Sequence, residues 1–179
     1  MARSRLAFAI LCVFCTGAVA QQNPPVATPP THHHPVDNTP MIDGKVHPEQ
    51  IPDPPAYRLW LLTVSRSATP TEDEKHSQSV QLNMANLSDR DTQTVIPILA
   101  SFHERYMKLV QDFNKQAEAA EARGQVIDSA SFLRDRDGLV QSTHDTLRSV
   151  LTSDGWNKMD GHIQREKRGM KIPAAEGLR

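Results

Sequence analysis

The stretch VIPILASFHERYMKLVQDFNKQAEAA, residues 95–120, repeats its apolar positions at steps of three and four. Val95, Leu99, Phe102, Tyr106, Leu109, Phe113, Ala117 and Ala120 share one narrow stripe, and none is charged. A helical turn of about 3.6 residues puts such positions on one face, the seam of a helix bundle or short coiled coil. Ser88 with Asp91 supplies the start of this helix and Gly124 a C-terminal glycine stop. At about 1.5 Å per residue the helix reaches roughly 50 Å. Pro97, two turns in, is expected to kink or loosen it.

Working outward toward the N-terminus, Thr71 with Glu74 forms a capping box. On the helix it opens, His76, Val80, Met84 and Leu87 share a stripe. Before it, Asp53 followed by Pro54 reads as an N-cap with proline at the first helical position. That helix carries Tyr57, Trp60, Leu61 and Val64 on one side and Leu59 and Leu62 on the other. A helix apolar nearly all round is expected at the centre of a bundle. Residues 41–53 read as an irregular strip, turning at Ile42-Asp43-Gly44 and pinned by Ile42, Val46 and Ile51.

On the C-terminal side a fourth helix is predicted from about Ser129 to Leu151, through Phe132, Leu133, Leu139, Val140, Leu147 and Val150. Gly138 inside it argues against continuity. Thr152 caps a fifth helix with the stripe Trp156, Met159, Ile163 and Met170, ended by Gly169 and Pro173. No strand pattern stands out. Short connections between consecutive helices favour antiparallel packing. The expected fold is all-α: an antiparallel bundle of about five helices with one long central helix, spanning residues 41–173 and followed by a disordered tail, 174–179.

The first twenty residues have the parts of a cleavable export signal. Arg3 and Arg5 precede the apolar run Leu6–Val13, and Ala18-Val19-Ala20 gives the small-x-small pattern before Gln21. The run falls short of the roughly 20 apolar residues of a membrane span. A lipid-modified cysteine needs a small residue before it, but Leu11 precedes Cys12 and Phe14 precedes Cys15. Cleavage removes both cysteines, so the mature chain forms no disulfide and rests on packing. Residues 21–40 hold Pro24, Pro25, Pro29, Pro30, Pro35 and Pro40 among polar residues, a disordered linker. The expected location is periplasmic or secreted.

The chain has 20 basic and 21 acidic residues, and loss of Arg3 and Arg5 shifts the mature charge to −3. That balance argues against nucleic acid or an anionic membrane surface as partner. Histidine is abundant, with eight residues. His32, His33 and His34 could gather copper, nickel or zinc, but neighbouring imidazoles on a flexible linker impose no geometry, and a polar tract is the plainer reading. His47, His76, His103, His144 and His162 lack the i, i+4 pairing of a helical metal site and read as surface or helix-flank residues. No metal or cofactor site is assigned.

Glu72-Asp73-Glu74, Asp89 with Asp91, and Asp135 with Asp137 are explained by capping and a solvated charged face. Arg136 lies near the apolar face between Phe132, Leu139 and Val140, where it either snorkels or pairs with a carboxylate or ligand. No glycine-flanked serine and no glycine-rich phosphate loop occurs, which points away from catalysis. No catalytic residue is assigned.

Two resemblances add to this reading. The segment Ile42-Asp43-Gly44, Pro48-Glu49-Gln50-Ile51-Pro52-Asp53, Ala56-Tyr57-Arg58-Leu59 resembles the opening of uncharacterised exported bacterial helical proteins. Leu87-Ser88-Asp89-Arg90-Asp91 and Leu151-Thr152-Ser153-Asp154-Gly155 look similar to the leucine-threonine-x-x-glutamine motif of Spy-like periplasmic stress proteins, with Asp91 and Gly155 in place of the glutamine. The expected function is a non-enzymatic interaction module of the bacterial envelope, binding a protein or envelope partner. A metal-responsive or stress-protective protein of Spy-like type and a carboxylate-based hydrolase are the alternatives.

Overall fold

The computed structural model describes residues 40–174. The expected export signal (1–20), the expected linker apart from Pro40 and the expected tail apart from Ala174 lie outside the described residues. Five helices form the fold: α1 (Asp53–Val64), α2 (Glu72–Met84), α3 (Asp89–Glu121), α4 (Ala130–Val150) and α5 (Ser153–Glu166). The chain is the helical bundle its sequence predicts, and α3 runs unbroken through Pro97.

α1 is central, packing on α2, α3, α4 and α5. Tyr57, Trp60, Leu61 and Val64 are buried, yet Leu59 and Leu62 are exposed, so α1 is one-sided rather than enclosed. The core adds Val95, Leu99 and Phe102 from α3, Leu139, Val140 and Leu147 from α4, and Met159 and Ile163 from α5. Asp53 is the first helical residue, not the cap; Pro52 precedes it without a side-chain cap bond. The carboxylate is instead drawn to Lys167 and Gln164 of the opposite terminus.

The face that α2 buries is not the Val80–Met84 stripe. Gln78 and Leu82 are buried, whereas Val80 and Met84 are 43% and 53% exposed. Leu82 and Ala85 pack inward on the buried face, and Gln78 Nε2 donates to the Val64 carbonyl, 2.8 Å away. The last carbonyls of a helix lack intrahelical donors, and a buried one needs an external partner. One face of α2 thus buries Leu82 and Ala85 and satisfies α1's end through Gln78.

Two short strands were not expected. β1 (Met41–Asp43) pairs antiparallel with β2 (Lys171–Pro173), with Ile42 opposite Ile172. The Ala174 N–H donates to the Pro40 carbonyl, extending this closure by one residue at each end. Ile51 is buried and Ile42 half-buried, but Val46 is exposed and pins nothing. A Cβ on Gly44 would collide with the Lys167 carbonyl, so glycine lets β1 lie against the turn after α5. α4 is continuous through Gly138.

Candidate functional site

Three arrangements concentrate the chemistry of the described residues. The first joins two helix starts distant in sequence. Ser88 and Thr152 cap α3 and α5 with their hydroxyls, accepting from Asp91 N–H and Gly155 N–H. The Asp91 carboxylate bridges them. Its Oδ1 accepts from the Thr152 N–H at 3.0 Å, and its Oδ2 from the hydroxyls of Thr152 at 2.9 Å and Ser88 at 2.7 Å. A Cβ on Gly155 would sit 2.5 Å from Asp91 Oδ2, so the glycine makes room for the carboxylate. Burial pushes the Asp91 carboxyl up, but the donors from Thr152 and Ser88 outweigh it and hold it below the usual aspartate range. The sequence reading gave Asp91 only a local role. Its link to α5 comes from the fold, which brings Leu87–Asp91 and Leu151–Gly155 together.

The second arrangement braces α1 against α4 and α5. The Tyr57 hydroxyl donates to Asp160 Oδ1. Burial, then Asp160, raises the phenol far above its ordinary pKa, keeping it a neutral donor. The His144 ring meets Tyr57 edge-on at 4.6 Å and Trp156 at 5.1 Å, and its Nδ1 lies 2.9 Å from Asp145 Oδ1. Arg148 lies over the Trp156 ring at 5.8 Å. Gln164 Nε2 reaches Asp53 at 2.9 Å and Asp160 at 3.3 Å, while Lys167 Nζ pairs with Asp53 at 2.6 Å. Burial raises the Asp53 carboxyl, but Lys167 and Gln164 more than offset this and hold it low. Tyr57 and His144 line a cavity of about 170 Å³ with Asp53, Pro54, Val140 and Gln141. A general acid needs a raised carboxyl; Asp53 is held the other way, and its oxygen is taken up in linking the start of α1 to the end of α5.

The third arrangement is an arm. On α3 the buried residues other than Ala120 stop at Phe102. On α4 they begin at Leu139. Between these limits the helices pair with each other, Phe113 against Phe132 at 4.6 Å between ring centroids. Leu109, Val110, Phe113, Phe132 and Leu133 are only half-buried there, and Met107 is exposed. The seam that predicted the bundle therefore continues beyond the core as a two-helix projection. Gly124, at φ +64°, ends α3 and turns the chain back.

The remaining sequence candidates are dispersed. His32, His33 and His34 lie outside the described residues. His47 is exposed beside Glu49, His76 is exposed and His103 half-buried. His162 is not a surface residue: it is buried in α5, and burial, partly opposed by Glu166, lowers its pKa. Among the described residues no group of three or more histidine, cysteine or acidic side chains is placed to hold a metal ion. Glu74 completes the capping box with Thr71. Arg136 pairs rather than simply snorkelling: its Nη2 lies 2.7 Å from Asp137 Oδ1. Arg58 approaches the same oxygen at 3.9 Å.

No helix among the described residues is long and apolar enough to cross a membrane. No family model, curated protein or solved structure matches the chain.

Proposed function

We propose that this chain is an exported, non-enzymatic interaction module of the bacterial envelope, and that the α3–α4 arm is its working surface. The observation that carries the proposal is the half-buried seam of Leu109, Val110, Phe113, Phe132 and Leu133 beyond the core. Two helices alone leave such a seam open on its flanks, and a third helix with a matching three-four repeat closes it. Along the arm Lys108, Lys115, Arg123 and Arg134 alternate with Asp112, Glu118, Glu121 and Asp135. Mixed signs suit an amphipathic helix of similarly mixed charge and give no field for a polyanion or an anionic bilayer. The partner is therefore an amphipathic helix of a protein, with an export signal and linker delivering the module to it.

Photo-crosslinking in intact cells tests this reading. A photoreactive residue at Met107 on the arm is expected to give a discrete protein adduct, and one at exposed Met84 on α2 is not. Equal labelling from both positions, or none from Met107, would count against the arm. A second copy of the chain as the adduct would identify a self-associating module.

A second reading is a metal-responsive or stress-protective protein of Spy-like type. It is favoured by the meeting of Leu87–Asp91 with Leu151–Gly155 at one junction. Titration of the mature chain with copper, nickel and zinc tests its metal-binding form; binding unchanged by alanine at His32, His33 and His34 would end it.

A further inference from the structure

A cleft of about 420 Å³ opens between the turn after α1, the buried face of α2 and the first half of α3. It is separate from the arm. Ile96, Pro97 and Ala100 from α3 and Pro70 from the turn give it apolar walls. Three polar groups border it in different states. Gln78, only 6% exposed, has its amide nitrogen committed to the Val64 carbonyl. The carbonyl's demand for a donor sets the orientation of the amide, and no described donor reaches the Oε1 that remains. Arg66 is fixed by its neighbours: Nη1 donates to the carbonyls of Thr63 at 2.8 Å and Ser65 at 2.6 Å, and Nη2 to Ser77 Oγ at 3.2 Å. A guanidinium has five N–H donors, so two are left over. Glu104 is exposed at the rim. Neither Arg66 nor Glu104 forms an ion pair with a described residue. The nearby Glu74 carboxylate is held mainly by Thr71, and the Arg66 charge also acts on it from beyond ion-pair distance.

From these groups we infer that the cleft binds a small zwitterion with an apolar side chain, an amino acid or dipeptide of the leucine type. Arg66 takes the carboxylate, and its fixed fork lowers the ordering cost of doing so. Glu104 takes the ammonium. The Gln78 Oε1, open to solvent in the cleft, accepts an N–H, and the proline-alanine wall covers the side chain. A simple anion would meet Glu104 and a simple cation Arg66, so a ligand carrying both charges satisfies a rim that neither alone satisfies.

Calorimetric titration of the full mature chain tests this with leucine, dileucine, N-acetylleucine and leucinamide. The zwitterions should bind about tenfold more tightly than either single-charge analogue. Glu104→Gln, at an exposed position, should weaken leucine and dileucine roughly fivefold to tenfold without weakening N-acetylleucine. Ala100→Trp should block all four ligands while circular dichroism shows the fold retained. The tighter binder of leucine and dileucine identifies whether a free amino acid or a peptide is the ligand. Absence of zwitterion binding, leucinamide binding as tightly as leucine, or affinity unchanged in Ala100→Trp would overturn the inference. None of these outcomes depends on the arm.

Discussion

Asp91 shows how much one side chain can tie together. It is 3% exposed and accepts from both cap hydroxyls and from the Thr152 backbone. Asp91→Ala would strand those donors and is expected to cost about 2–4 kcal/mol in denaturant unfolding. The pH dependence has a definite sign. The folded carboxyl titrates below its unfolded value, so the unfolded chain takes up the proton first on acidification. Its contribution is complete above the ordinary aspartate pKa of about 3.9 and is lost as pH falls through the lower folded value. Asp91→Asn should therefore flatten the acid limb of the stability curve; an unchanged slope would remove the carboxylate from this role. The glycines make a matched pair. Gly155→Ala drives a methyl into Asp91 and should cost about 2 kcal/mol or more, whereas Gly138→Ala meets nothing within 4 Å on an exposed helix and should gain about 0.5–1 kcal/mol. Thermal melts of the two variants should move in opposite directions. The caps themselves were legible from Ser88 and Thr152. The carboxylate between them was not, because no local rule relates positions 61 residues apart.

At the scale of elements, the buried face of α2 is instructive. On α3 and α5 the apolar stripe supplies the core residues Val95, Leu99, Phe102, Met159 and Ile163, while Tyr106, Leu109 and Phe113 stay half-buried. α2 has only a weak stripe, through Val80 and Met84, while the buried face is Gln78, Leu82 and Ala85, with the glutamine answering α1's terminal carbonyl. Leu82→Ala should cost about 2–4 kcal/mol, and Met84→Ala less than about 0.5 kcal/mol. Comparable losses from both would show that α2 packs on the other face. Gly138 misled in the opposite direction. A helix paired along its length with α3 tolerates the propensity cost of one glycine, roughly 1 kcal/mol.

On the scale of the whole molecule, class, helix number and order follow from apolar spacing and cap residues. The β1–β2 closure was hidden because three-residue strands are too short to show alternation, and their pairing joins residues at opposite ends of the described chain. The long seam of α3 was read as a single packing surface. Its first half fills the core and its second half forms the arm, a division that depends on where α1 and α5 end. Amide hydrogen exchange of the chain from residue 21 onward, alone and with the partner that crosslinking recovers, tests this account most directly. The free chain should exchange faster at residues 106–133 than in α1 and α5, and partner binding should slow exchange in that same segment. An arm already as protected as the core, or protection appearing on another surface, would contradict the account.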